Sequence, residues 1–351
     1  MTPARSRRPT LAAALAPLAL LALVTLPAPA QRLFRSDTAL NVTITTDLKS
    51  FIRERDSLKL APHPAVLSYV DSGGATVKLP VTVKARGHYR RQSRNCDFPP
   101  VWLNFKTDSV RRSLLGGLKK LKITTNCRPG NNEYEQYILQ EYLLYRAFAT
   151  LTDASPRTRL ARITYADALG KEKPITTWAF FWEDMDDVAI RMHRKVFTAT
   201  GALFDDVEQE PLRIISVFEY FAGNTDWSVN AQHNIALLAD TTMRILPVAF
   251  DWDFSGAVDA RYAVTDAQLR IRRVTDRLYR GVCMKPEEFK ATIDLFRSRR
   301  AAIDGLFAAV PQISPDRVKR MQGFFNDFWK STDNPKNLQR DFADDCQKIG
   351  N

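Results

Sequence analysis

Two short polar segments in the second half of the chain carry the side chains best suited to chemistry. Residues 223–234 follow a predicted helix, and residues 251–256 follow an apolar predicted strand. Their candidate side chains are Asp226, Asn230, Asn234, Asp251 and Asp253. Phosphoryl transfer needs such a set, because one carboxylate orients or deprotonates the attacking hydroxyl while amide and carboxylate oxygens hold Mg²⁺. Taken singly, an Asp or Asn in a loop is more often a turn former. The ordered pair of segments at strand boundaries favours a site.

The elements that must position these segments form a β-rich first half and a mostly helical second half. Alternating apolar and polar residues predict strands at 40–45, 66–70, 77–83, 101–105, 121–124, 160–165, 177–182, 234–238 and 244–250. Helical periodicity predicts helices at 134–151, 212–221, 289–307 and 315–329. This order is that of an α+β fold.

Residues 1–30 have the organisation of a secretory signal peptide. A basic start precedes an apolar run over 11–26, and small residues precede a cleavage point after Ala30. The remaining chain, residues 31–351, is therefore expected to be a soluble domain without a transmembrane anchor, either secreted or periplasmic.

The cysteines and the charge limit the possible partners further. Four cysteines in an exported chain favour two disulfides. We expect the local pairs Cys96–Cys127 and Cys283–Cys346, and no Cys or His lies at zinc-ligand spacing. The formal net charge is +12, but the basic residues are scattered rather than gathered in a stripe with aromatic residues, so no nucleic-acid partner is expected.

Further motifs accompany the two polar segments. Residues 84–87 read Lys-Ala-Arg-Gly, residues 100–105 read Pro-Val-Trp-Leu-Asn-Phe, and residues 119–123 read Lys-Lys-Leu-Lys-Ile. With the Gly-Asn-Thr-Asp-Trp loop and the Asp-Trp-Asp strand end, they resemble the CotH family of atypical, secreted protein kinases over residues 81–262. The loop and the strand end are the specific matches.

This resemblance implies a two-lobed, protein-kinase-like fold. A β-rich N-terminal lobe with one inserted helix would cover residues 36–182, and a mostly helical C-terminal lobe would cover residues 183–351. The resemblance also departs from the family pattern, because residues 131–136 read Asn-Asn-Glu-Tyr-Glu-Gln and no Gly-rich phosphate loop is present in the sequence.

The resemblance also assigns roles to the polar segments. Asp226 would be the catalytic base. Asn234, assisted by Asn230, would bind the metal ion, and Asp251 would be its main carboxylate ligand with Asp253 beside it.

Other roles fall on the β-rich lobe. Lys122 would approach the ATP phosphates and pair with Glu141, with Glu135 as the alternative partner. Arg86 would hold a phosphate or a carboxylate, unless it forms a structural ion pair. Residues 178–183, ending at Glu183, would line the adenine pocket, unless they are only a strand that ends at the core.

The sequence therefore predicts an exported phosphotransferase that uses ATP and Mg²⁺ or Mn²⁺. It would modify Ser or Thr of secreted or surface proteins, so its partners would be a nucleotide and a protein acceptor. One alternative is a non-catalytic surface or coat protein of the same fold. Another is metal-assisted hydrolysis or adenylylation by the same carboxylates.

Overall fold

The computed structural model describes residues 31–198, 200–344 and 346–348. The predicted signal peptide lies outside the described residues. The strands are β1 (Leu40–Thr46), β2 (His63–Val70), β3 (Thr76–Ala85), β4 (Val101–Asn104), β5 (Lys120–Thr125), β6 (Thr158–Asp167), β7 (Ile175–Glu183), β8 (Lys195–Phe197), β9 (Ile235–Ala239) and β10 (Ile245–Ala249). The α-helices are α1 (Leu48–Arg53), α2 (Thr107–Val110), α3 (Asn132–Leu151), α4 (Met185–Arg191), α5 (Gln209–Ala222), α6 (Pro286–Ala309), α7 (Pro315–Thr332) and α8 (Pro335–Leu338). Short 3₁₀-helices occupy Arg32–Arg35, Glu54–Asp56 and Phe204–Asp206, and a π-helical turn occupies Gln339–Ala343.

Strands β1–β7 form a closed barrel in the order β1-β2-β3-β4-β5-β7-β6. Neighbouring strands pair antiparallel, except that β6 and β1 pair in parallel and so close the barrel. Ile44, Val83 and Leu103 fill the interior, while alternate residues of the same strands are more exposed. This is the alternation that predicted the strands, and their positions are confirmed.

Helix α3 lies between the barrel and the C-terminal part of the chain. It begins after Asn131, whose side chain accepts a hydrogen bond from the Glu133 N–H at 3.0 Å. It contacts β7 as well as α5 and α6. Most of its side chains are buried, including Tyr137, Leu143 and Phe148. A helix that is apolar on most sides belongs in a core, and α3 has that position.

The C-terminal part forms a second core around α5, α6 and α7. The phenyl rings of Phe221 on α5 and Phe325 on α7 lie 4.2 Å apart, with Phe328 packed beside them. Strands β8, β9 and β10 form an antiparallel sheet in the order β10-β9-β8 beside these helices.

Two disulfides link Cys96 to Cys127 and Cys283 to Cys346, which confirms the predicted pairing. Structural disulfides are typical of proteins in an oxidising compartment. Among the helices of the described ranges, none combines the length and the apolar composition that a bilayer crossing requires.

The expected two-lobed, kinase-like fold is wrong. The chain forms a closed barrel of mixed parallel and antiparallel strands with helices, and three further strands lie in the part predicted to be mostly helical. The difference arises from pairing. Alternation predicts that a segment is a strand, but it does not predict that β1 pairs along its whole length with β6, from Leu40 beside Ala161 to Thr46 beside Asp167.

Candidate functional site

The loop after α5 presents Asp226 to solvent. The helix ends at Gly223, whose left-handed backbone (φ 67°) turns the chain away from the helix axis. The Asp226 carboxylate then lies 2.8 Å from Nε2 of His233, and the Asn234 side-chain amide donates to it at 3.2 Å. The same amide donates to the Asp226 carbonyl at 2.7 Å. Asp226 is thus held in place, yet its side chain stays 41% exposed.

The strand end after β10 lies beside this loop. The Phe250 N–H donates to the Asn234 carbonyl at 3.0 Å, which extends the β9–β10 pairing to the last residue of the first polar segment and to the residue just before the second. Asp251 has a left-handed backbone (φ 69°), and its N–H donates to the Tyr145 hydroxyl at 3.0 Å. The two segments predicted to carry chemistry are therefore brought together.

Arg90 is the centre of a buried charge cluster that the sequence did not predict. Its guanidinium lies 3.2 Å from a carboxylate oxygen of each of Glu141, Asp251 and Asp253. Burial by itself would lower the pKa of Arg90, but the carboxylates of Asp253 and Glu141 raise it well above its usual value. One cation thus serves three carboxylates.

Two carboxyl groups of this cluster, Glu141 and Asp253, hold protons more tightly than usual. Burial raises the pKa of Glu141 to about 7, although Arg90 acts in the opposite direction. Burial also raises the pKa of Asp253 well above its usual value. Asp251 is the more accessible member, with 29% of its side chain exposed. We call Arg90, Glu141, Asp251 and Asp253 the carboxylate cluster.

Lys122 pairs with Asp184, so the expected pairing of Lys122 with Glu141 is wrong. The Lys122 ammonium lies 3.3 Å from Asp184 at the end of β7, whereas Glu141 is directed to Arg90. The alternative partner, Glu135, instead pairs with Arg162 at 2.9 Å. The pairing of β5 with β7 brings Asp184, just after β7, to Lys122, whereas Glu141 on α3 meets Arg90 in the segment after β3.

An aromatic stack joins Lys122 to the carboxylate cluster. The Lys122 ammonium lies 4.1 Å from the centre of the Trp182 ring, which stacks on Phe250 at 5.8 Å. Phe250 directly precedes Asp251. Arg86 lies over the same Trp182 ring at 4.9 Å, and its Nε has no hydrogen-bond partner among the described residues. Burial lowers the pKa of Lys122 to about 8. Arg86 therefore feels the charge of Asp251, whereas Lys122 is connected to it through the Trp182 and Phe250 rings.

Two of the predicted site residues are placed elsewhere. The Glu183 carboxylate is buried and accepts hydrogen bonds from Gln31 at 2.6 Å and Arg191 at 2.9 Å, so it anchors the chain rather than facing an adenine pocket. Asn230 is exposed and lines a pocket of about 320 Å³ together with Phe204, separate from the carboxylate cluster.

A metal ion at this site would have few protein ligands. Across residues 31–198, 200–344 and 346–348, no group of three or more His, Cys, Asp or Glu side chains is arranged to hold a metal ion. Mg²⁺ keeps several waters and needs only one or two carboxylates. The Asp251 carboxylate is partly exposed, and the Asn234 amide nitrogen is taken up by Asp226, which leaves its oxygen as a ligand atom.

Comparison with known proteins gives no relative: no family model, no curated protein and no solved structure matches the chain. The geometry of the site is therefore the basis for its interpretation.

Sequence reasoning missed Arg90 and Asp184. Arg90 lies in an irregular segment with Arg91 and Arg94, and no spacing distinguishes it from them. Asp184 directly follows the segment assigned to the adenine pocket, and its position at the end of a strand was the available signal.

Proposed function

We propose that the chain is an extracytoplasmic phosphotransferase that uses ATP with Mg²⁺ or Mn²⁺ to modify Ser or Thr hydroxyls of secreted or surface proteins. The observation that carries the proposal is the position of an exposed, hydrogen-bonded Asp226 beside the strand end that bears Asp251. The resemblance of these two segments to the CotH family supports it, without the fold that the family implies. The two disulfides and the predicted signal peptide favour secretion or a periplasmic location.

In this proposal Asp226 is the general base. It accepts the proton of the acceptor hydroxyl, whose oxygen forms a bond to the γ-phosphorus as the bond to the β–γ bridging oxygen breaks and ADP leaves. Asn234 and His233 hold the Asp226 carboxylate in one orientation during this step. The acceptor hydroxyl reaches Asp226 from solvent, because 41% of the Asp226 side chain is exposed.

Lys122 and Arg86 would bind the nucleotide phosphates. Both cations lie against Trp182, and Lys122 is also near the Phe250 ring. Arg86 interacts with the charge of Asp251, and its Nε lacks a hydrogen-bond partner among the described residues. A Mg²⁺ ion held by Asp251 and Asn234 would neutralise negative charge on the phosphates.

The proposal is tested with the purified protein lacking residues 1–30. ATP with Mg²⁺ or Mn²⁺ should raise its thermal midpoint, and Asp251→Ala should abolish that shift. With radiolabelled ATP and a mixture of dephosphorylated acceptor proteins, Asp226→Asn should lower transfer at least about 100-fold, as expected for loss of a general base. The mass added to an acceptor separates phosphoryl from adenylyl transfer.

Asp304→Asn is the matched control. Asp304 is an exposed carboxylate on α6 whose ion pair, with Arg300, is long at 3.7 Å. This variant should keep the full shift and the full transfer activity. Full transfer by folded Asp226→Asn and Asp251→Ala variants would refute the assignment.

A non-catalytic surface protein is the second candidate, and one observation favours it. Arg90 already pairs with both Asp251 and Asp253, which are the carboxylates assigned to the metal ion. In that case the cluster would serve stability alone, and neither nucleotide nor metal would change the thermal midpoint.

A further inference from the structure

A buried carboxyl group lies between the two polar segments. Glu219 on α5 is 1% exposed, and it accepts a hydrogen bond from the Asn224 side-chain amide at 2.8 Å. Its oxygens also lie 3.1 and 3.2 Å from the indole Nε1 of Trp252, which donates to them. Asn224 belongs to the first segment and Trp252 to the second. Glu219 is therefore a common hydrogen-bond acceptor for both.

Each of these contacts leads to a residue of the site. The Asn224 side-chain oxygen accepts the Asp226 N–H at 3.1 Å, which fixes the backbone of Asp226. Trp252 lies between Asp251 and Asp253 in the sequence, and its ring packs on Tyr145 at 4.7 Å and Phe218 at 5.2 Å. Moving the Trp252 indole would therefore move the residues on either side of it.

The partners of Glu219 are neutral donors. Neither a Lys, an Arg nor a His forms an ion pair with Glu219 in the part of the chain that the structure describes. Burial raises the pKa of Glu219 to about 8, and the hydrogen bonds from Asn224 and Trp252 oppose that rise only in part. A buried carboxyl without a cation is costly to keep unless it has a structural role, and its two donors come from the two polar segments.

We propose that Glu219 is a positioning residue that sets the place of Asp226 relative to Asp251 through Asn224 and Trp252. Its catalytic consequence rests on the proposed function, whereas the positioning itself does not. The side-chain hydrogen bonds of Glu219 go to Asn224 and Trp252 and not to Asp226 itself, so it positions Asp226 through these two neighbours.

The test compares two substitutions at one position. Glu219→Gln keeps an acceptor oxygen for Asn224 and Trp252, while Glu219→Leu keeps a similar volume without any acceptor. Positioning predicts that Glu219→Leu lowers kcat of phosphoryl transfer at least tenfold with little change in the KM for ATP. Glu219→Gln should restore most of kcat. Folding is checked by the thermal midpoint, and Glu210→Leu, an exposed site in the first turn of the same helix, is the matched control.

A second measurement does not depend on activity. Hydrogen exchange should become at least tenfold faster at the Asp226 amide and the Trp252 indole in Glu219→Leu, but not at core amides of the barrel. Trp252→Phe identifies the exchange signal of the indole N–H. This variant should accelerate exchange at the Asp226 amide less than Glu219→Leu does, because Asn224 keeps Glu219 as its acceptor. If the wild type shows no transfer, faster exchange would still support positioning and only the proposed function would fail. Unchanged exchange in a folded Glu219→Leu variant would overturn the inference, as would full kcat.

Discussion

Replacing Arg90 with methionine should destabilise the protein strongly and in a pH-dependent way. Arg90 contacts three carboxylates at 3.2 Å each, and two of them, Glu141 and Asp253, are buried with it. Removing one partner of a buried ion pair costs about 3–5 kcal/mol, because the remaining charge stays buried without compensation. The Asp251 contact adds less, since that carboxylate reaches solvent.

The sign of the pH dependence follows from the carboxylates. The pKa of Glu141 is already raised to about 7 in the folded protein, above the value of 4.5 for an unperturbed carboxyl group. Without Arg90, this pKa rises further, so the folded state holds the proton while the unfolded state has lost it. Stability of Arg90→Met should therefore fall as pH rises from about 5 to 8. The difference from the wild type is expected to be largest at pH 8 and to shrink at pH 5.

The assay is denaturant unfolding of both proteins at pH 5 and pH 8. Arg146→Met is the control, because Arg146 also pairs with a carboxylate, but its partner Asp37 is 72% exposed and the pair should contribute at most about 1 kcal/mol. A loss for Arg90→Met below that of the control at pH 8 would refute the reasoning. So would a loss of the same size at both pH values, because it would indicate lost packing rather than uncompensated charge.

Two further outcomes follow from the same structure. Lys122→Met should raise the free energy of unfolding at pH 7 by roughly 1–3 kcal/mol, because burial lowers the pKa of Lys122 to about 8 and Asp184 keeps its contact with Lys120. In denaturant unfolding, this gain in stability should vanish above pH 10. A loss of stability at pH 7 would contradict the prediction. Replacing both cysteines of either disulfide with serine should lower the free energy of unfolding by about 4 kcal/mol, since the two disulfides close loops of 31 and 63 residues and so restrict the unfolded chain. A loss below about 1 kcal/mol in the same assay would argue against this effect on the entropy of the unfolded chain.

Local pattern predicted most elements of this fold, and it failed where distant segments meet. The strands of the barrel follow apolar alternation, and α3 follows its helical period, so both are visible in a short window of sequence. Barrel closure depends on the parallel pairing of β1 with β6, whose partners Leu40 and Ala161 are far apart in the chain. Nothing within either strand specifies the other as its neighbour.

The same division holds within the candidate site. Asn234 begins the first of two consecutive predicted strands, and Phe250 ends the second. Antiparallel pairing of consecutive strands places the start of the first beside the end of the second. The proximity of the two polar segments therefore follows from the sequence. The partner of Lys122 does not, because Asp184 reaches Lys122 only through the pairing of β5 with β7, two strands that are far apart in the chain. Arg90 was missed for a related reason: its role arises only when the segment after β3 meets α3 and the end of β10.

The distribution of charge in the carboxylate cluster bears on how a cation would bind. Arg90 takes up one oxygen of each buried carboxyl group, Glu141 and Asp253, and burial raises the pKa of both. Under the proposed function, Asp251 with Asn234 would therefore supply the ligand atoms. Two protein ligands leave most positions around Mg²⁺ to water or phosphate oxygens. Binding of the ion without nucleotide should then be weak, and under the proposed function the phosphates of ATP, with Lys122 and Arg86 beside them, would supply further oxygen ligands. Metal and nucleotide are therefore expected to stabilise the protein together much more than either does alone.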